Sequence, residues 1–243
     1  MNLKLLHFYP DLMSLYGSYA NILVLKRRLE ELGNSVTVEA VVPGQEADIE
    51  HADFLLMGAG TERAQKAVLA DFIRFGEAVK TAAENGMSML FCGTAMELLG
   101  KVITDVDGTS YEGIGLGSFS TTQKKSRIAQ DIYGHTTLFS DPVVGFINKS
   151  SIVHGVETPL LTHLSLGFGN EASLTAEGFL HKNVIGSELT GPLLVKNPPL
   201  VDTIVTAIYQ QHGEPLPNFP KNLWAEQSYA ITVKELRQRF EAK

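Results

Sequence analysis

Cys92 is the only cysteine among the 243 residues of the chain, and it stands between two runs of different periodicity. The run MSMLF (87–91) reads as a buried strand, and TAMELLG (94–100) reads as a helix. Gly93 lies between the cysteine and the helix. A strand that ends in a nucleophile and turns at once into a helix is a nucleophile elbow. The turn is tight, so a small residue is wanted after the nucleophile, and Gly93 supplies it. In that geometry the thiol stands at the carboxyl end of the sheet, facing the N-terminus of helix 94–100. The positive end of the helix then lowers the thiol pKa below its free value of about 8.5. Nearby backbone N–H groups can receive a developing oxyanion. A lone cysteine at a strand end has a plainer reading as well, that of a small core hydrophobe.

An activated thiol needs an acid–base partner, and the chain offers seven histidines. His154, after the strand-like SIV, and His181, before NVIGSEL, lie in segments that could approach the sheet's end. Both also have the plainer reading of a surface or partly buried loop histidine without a patterned partner, and His7, inside the first strand, reads as structural; His51, His135, His163 and His212 complete the seven. Other chemistries lack their signatures. GAGTERA (58–64) lacks the third glycine of a dinucleotide fingerprint, no lysine follows a glycine loop in the Walker pattern, and there is no Gly-x-Ser-x-Gly. No His/Cys/Asp cluster has metal-ligand spacing, so neither metal nor cofactor is expected.

The elements that must position Cys92 follow from periodicity. Strands are expected at 2–8, 35–42, 53–57 and 87–91, with helices at 19–32 and 62–84 between them. That alternation predicts an α/β fold, a mostly parallel sheet with helices on both faces. After Gly100 the texture turns β-rich, with short strands expected at 113–120, 128–133, 143–148, 151–153, 177–180 and 183–187. A helix is expected at 198–212, a proline-rich connector at 213–222, and a last helix at 232–243 capped by Thr232 with Glu235 three residues on. The expected organisation is one domain, 1–212, with an extension, 213–243.

Composition narrows the partners. A net charge of −7 speaks against a nucleic-acid surface. A single cysteine fits a reducing compartment. The N-terminus does not read as a signal peptide, and no run reaches the roughly 18 apolar residues that span a bilayer. The expectation is a cytoplasmic protein without membrane insertion.

Several segments taken together resemble one family: FYPDLMSLYGSYANILVLKRR (8–28), FLLMGAGTERAQ (54–65), FCGTAMELLG (91–100), YEGIGLGSFST (111–121), GFGN (167–170), EG (177–178) and NVIGSELTGPLLVKNP (183–198). Over about residues 1–212 the chain resembles the class I glutamine amidotransferases of the cobyric-acid-synthase-like group, whose fold is flavodoxin-like. The resemblance implies a glutaminase subunit. It takes glutamine, releases ammonia through a glutamyl thioester, and passes it to a partner; a MurT-like, Mur-ligase-like synthetase in peptidoglycan (lipid II) amidation is the partner implied. Residue by residue it puts Cys92 at the nucleophile and Gly93 beside it. Gly58, Ala59 and Gly60 fall on the loop that gives an oxyanion N–H, and Arg63 and Gln65 near the glutamine.

The departures carry weight of their own. Thr190 stands where the family has a histidine before Gly-Pro, and threonine has no pKa near neutrality. The family elbow Cys-Gly-Gly-Tyr-Gln is here Cys92-Gly93-Thr94-Ala95-Met96-Glu97, one residue longer before Leu98, and Asn-His is replaced by Asn148-Lys149. The second expectation is therefore a catalytically degenerate member with a binding or scaffold role.

Overall fold

The computed structural model describes residues 1–173 and 175–241. The first half alternates strands with helices: β1 (Asn2–Phe8), α1 (Ala20–Glu31), β2 (Ser35–Val41), β3 (Phe54–Met57), α2 (Glu62–Phe72), α3 (Gly76–Glu84), β4 (Ser88–Cys92) and α4 (Thr94–Glu97). β3 is a continuous apolar run and β4 is apolar after the buried Ser88, because both of their faces are covered, as parallel strands require. The second half holds β5 (Val102–Thr104), β6 (Ser110–Glu112), β7 (Ser120–Thr136), β8 (Val143–His154), β9 (Leu161–Leu166), β10 (Phe179–His181), β11 (Val184–Ser187) and β12 (Leu189–Thr190). Three helices close the chain: α5 (Leu193–Lys196), α6 (Pro198–Gln211) and α7 (Leu223–Glu241).

Two sheets result. The first has six strands in the order β10-β11-β4-β3-β1-β2, parallel except at the β10 edge. The second runs β12-β8-β7-β5-β6, with β9 also paired to β7, and is antiparallel apart from the β5–β7 pair. The first sheet separates two apolar layers. Met89 and Phe91 of β4 pack with Val68 and Phe72 of α2 and Val79 of α3. Leu90 and Cys92, on the opposite face, pack with Ile22, Leu25 and Leu29 of α1 and with Val201, Ile204 and Ile208 of α6. Because side chains alternate across a strand, this register assigns Cys92 to the α1/α6 layer.

Several expectations change in detail. The helix expected at 62–84 is broken by a 3₁₀ turn at Ile73–Phe75. The break lets both Phe72 and Phe75 pack edge-on against Phe8, with centroids 5.8 and 5.2 Å away. The strand expected at 113–120 is a glycine-rich wrap whose N–H groups donate to the carbonyls of Leu98, Leu99, Gly100 and Lys101, behind α4. A Cβ on Gly113 would lie 2.3 Å from the Gly100 oxygen, so only glycine permits that approach. The pieces at 128–133, 143–148 and 151–153 belong to the long β7–β8 hairpin. The last helix starts at Leu223, not 232: Asn222 Oδ1 accepts the Ala225 N–H at 3.2 Å and caps it, while Thr232 lies inside it. Residues 242 and 243 of the expected helix lie outside the described residues. No helix among the described residues is long and apolar enough to cross a membrane.

Candidate active site

The elbow forms where the sequence places it, but its thiol does not face the cleft. β4 ends at Cys92, which pairs with Ser187 of β11, and α4 begins two residues later. Cys92 is 1 % exposed. Its Sγ accepts a hydrogen bond from Asn21 Nδ2 at 3.6 Å, and Asn21 Oδ1 accepts the Leu194 N–H at 2.8 Å. The thiol thus belongs to a buried tie between α1 and α5. Burial, aided by the negative field of Glu177, pushes its pKa up to about 12. This corrects the expectation of an activated thiol at a helix N-terminus. α4 is a single turn, and Sγ lies on the other face of the strand.

A small cleft does open at the carboxyl end of the sheet, with room for about one water, 10 Å³. Gly93, Ala59, Gly60, Thr94 and Thr190 line it, and so do Tyr16, Glu97, Arg127, Lys149 and Glu188. Gly93 takes φ 57° and ψ −134°, and its N–H donates to the Ser187 carbonyl at 2.7 Å. The expected oxyanion donors are already engaged. The Ala59 N–H donates to Ser18 Oγ at 3.0 Å, and the Gly60 N–H to Thr94 Oγ1 at 3.1 Å. Gly58 is needed for close packing, since a Cβ there would lie 2.2 Å from the Met13 oxygen. Thr190 is buried beside the cleft, and its hydroxyl donates to the Phe146 carbonyl at 3.2 Å.

The other expected site residues divide. Gln65 is buried under the cleft, where its Nε2 donates to the Thr94 carbonyl at 2.8 Å and to Glu97 Oε2 at 2.7 Å. Arg63 is exposed on α2 and does not line the cleft. His154 pairs with Glu171 at 2.9 Å and His181 with Glu84 at 2.6 Å, and neither lines the cleft. Among the described residues no histidine lines the cleft beside Thr190.

Sequence reasoning missed a set of charged groups around the same cleft. Arg127 lines it, held by Glu62 Oε1 at 2.9 Å and Asn148 Oδ1 at 3.0 Å. Glu97 and Glu188 are buried neighbours, and burial raises both pKa values, that of Glu188 further through the charge of Glu97. Glu177 accepts the Glu188 N–H at 2.7 Å and the Ser187 hydroxyl at 3.0 Å, yet burial still lifts its pKa to about 7. The buried Lys149 ammonium has no hydrogen-bond partner among the described residues. Glu97, Lys149 and Glu177 lie in segments the sequence already sets apart, the elbow, the Asn148-Lys149 pair and the EG pair, whereas Arg127 and Glu188 carry no signal, because buried polar spacing has no period. A larger groove of about 660 Å³ lies between α1, α6 and α7 and contains none of the elbow residues.

Comparison with known proteins agrees with the architecture. The chain is 30 % identical over 215 residues to the GatD subunit of lipid II isoglutaminyl synthase (glutamine-hydrolysing) of Staphylococcus aureus strain N315, covering 88 % of this chain and 87 % of that one. It is 32 % identical over 217 residues to the subunit of the same name from Streptococcus pneumoniae strain ATCC BAA-255 / R6, covering 87 % and 83 %. A crystal structure of a glutamine amidotransferase superposes with a TM-score of 0.50 at 15 % identity, covering 84 % of this chain and 98 % of that one, and it shares the fold. Residues 4–198 match the model of the CobB/CobQ-like glutamine amidotransferase domain, and the chain belongs to that family.

Proposed function

We propose that the chain is the glutamine amidotransferase subunit of a two-subunit amide ligase that modifies a peptidoglycan precursor such as lipid II in the cytoplasm. A MurT-like, Mur-ligase-like synthetase is its partner. Residues 1–212 form the amidotransferase unit, and 213–243 are an addition to it. The observation that supports this reading is the similarity, over nearly nine-tenths of the chain, to two proteins named as the subunit GatD of a glutamine-hydrolysing lipid II isoglutaminyl synthase. Glutamine hydrolysis comes with it. A thiolate attacks the side-chain amide carbon, an S–C bond forms, the C–N bond breaks, and ammonia leaves with a proton from a general acid. Water then cleaves the thioester to glutamate. For Cys92 to serve, the end of β4 must turn Sγ out of its layer, and a group other than Thr190 must move the protons.

A second reading of the same subunit is favoured by one specific observation: the Cys92 thiol is buried, tied to Asn21 and hard to ionise. In it the subunit keeps the fold, the cleft and the partner surface, and acts by binding or scaffolding without turnover. Glutamate release from glutamine by the purified chain, alone and with the co-expressed MurT-like protein, distinguishes the two. Release that Cys92→Ser abolishes establishes the first. No release, in a complex that still amidates with ammonium salt, establishes the second. Failure of the two proteins to associate overturns both.

A further inference from the structure

We infer that Gly93, and not Cys92, occupies the station of the elbow's nucleophile, and that Ala59 fills the space its side chain would take. The inference rests on the second reading of the site. An elbow puts its nucleophile on the strained residue between strand and helix, so that the side chain projects from the top of the sheet. Here the one residue of that junction with positive φ is Gly93, at φ 57° and ψ −134°. Cys92 is the last regular residue of β4 and turns sideways into the core.

The direction of a side chain at Gly93 is fixed by its backbone. A Cβ built there lies 3.4 Å from Thr190 Cγ2 and 2.8 Å from Ala59 Cβ. It points into the cleft, between the glycine-rich loop after β3 and the residue that faces the elbow from β12. The 2.8 Å contact is shorter than real Cβ atoms adopt, whereas the next atom, Ala59 Cα, is at 3.4 Å. Removing the Ala59 methyl therefore opens room for a side chain at position 93. Ala59 and Gly93 are a complementary pair, one methyl standing in the place of the other. The cleft has lost its nucleophile at the station while a thiol survives one residue earlier, on the wrong face.

The experiment rebuilds the station. In a Cys92→Ser background, Ala59→Gly, Gly93→Cys and Thr190→His together place a thiol and an imidazole across the cleft. The imidazole takes the thiol proton, the thiolate forms the S–C bond with the glutamine amide carbon, and the proton returns to the leaving ammonia. A water then hydrolyses the thioester with the same imidazole as base. Two readouts are used: glutamate release, and adduct mass after treatment with a diazo ketone analogue of glutamine. The expected result is an adduct at position 93 and glutamate release about 10²-fold above the same chain without Gly93→Cys. The wild type gives neither. An adduct on Cys92 in the wild type overturns the inference, even if the wild type then hydrolyses nothing. So does a rebuilt chain that unfolds at the wild-type temperature and stays inert.

Should the rebuilt chain not fold, a thermal-unfolding cycle reads the same pair. Gly93→Ala alone lowers the midpoint, and adding Ala59→Gly recovers part of the loss. Equal loss with and without Ala59→Gly overturns the claim that the two positions share one space.

Discussion

At the scale of single residues, the site turns on which way one strand end faces. The thiol of Cys92 and the amide of Asn21 satisfy each other inside an apolar layer, and Asn21 in turn holds the Leu194 N–H. Asn21→Ala leaves that N–H without its partner and is expected to cost about 1–3 kcal/mol, read from the urea midpoint. Cys92→Ala is expected to cost less, because it removes one small side chain and leaves the Asn21–Leu194 bond intact. A larger loss for the cysteine than for the asparagine would contradict this. The sequence by resemblance expects Thr190 to be a departure from a histidine and the stretch between Cys92 and Leu98 to be one residue longer. What that extra residue does was not legible. A one-residue slip at a strand end reverses the face of a side chain, and only the backbone torsions at Gly93 say where it is absorbed.

At the scale of elements, the α/β half was readable because its strands are apolar runs and its helices amphipathic. The β-rich half was harder. Strands β7 and β8 are long, partly exposed and irregular at Gln123–Ile128, so their pattern breaks into pieces. The sequence points to a start for α7 nine residues too late because Thr232-Glu235 imitates a capping box, whereas Asn222 is the cap the chain uses. α7 buries only Leu236 fully, in a small cluster with Tyr133 and Val144, so its first turn depends on that cap. Asn222→Ala is expected to weaken it by about 1 kcal/mol, a roughly five-fold faster hydrogen exchange at residues 223–226. Unchanged exchange there, or faster exchange at 232–235, would place the cap elsewhere.

At the scale of the whole molecule, two buried groups tilt stability against pH in opposite directions. Burial lowers the His7 pKa to about 4, against the opposing pull of Asp11. Between about pH 6.5 and 4 the unfolded chain holds a proton on His7 that the folded chain does not, so stability falls as pH falls. Glu177, raised to about 7, does the reverse: the folded chain holds the extra proton above pH 4.5, so its contribution falls as pH rises toward 7. The two offset each other in the overlap. His7→Leu removes the first, so its stability relative to wild type should improve as pH drops from 6.5 to 4. A difference that does not move with pH would mean that His7 is protonated in the fold. The family and the sheet order follow from the whole chain, but the chemistry at the elbow is decided by where one thiol stands. The most direct measurement is the alkylation rate of native Cys92 by a small neutral reagent at pH 7 to 9, against free cysteine. A buried thiol with its pKa near 12 should react about three orders of magnitude more slowly, with glutamine making no difference. Reaction faster than free cysteine near neutral pH would put the thiol in the cleft and contradict the account.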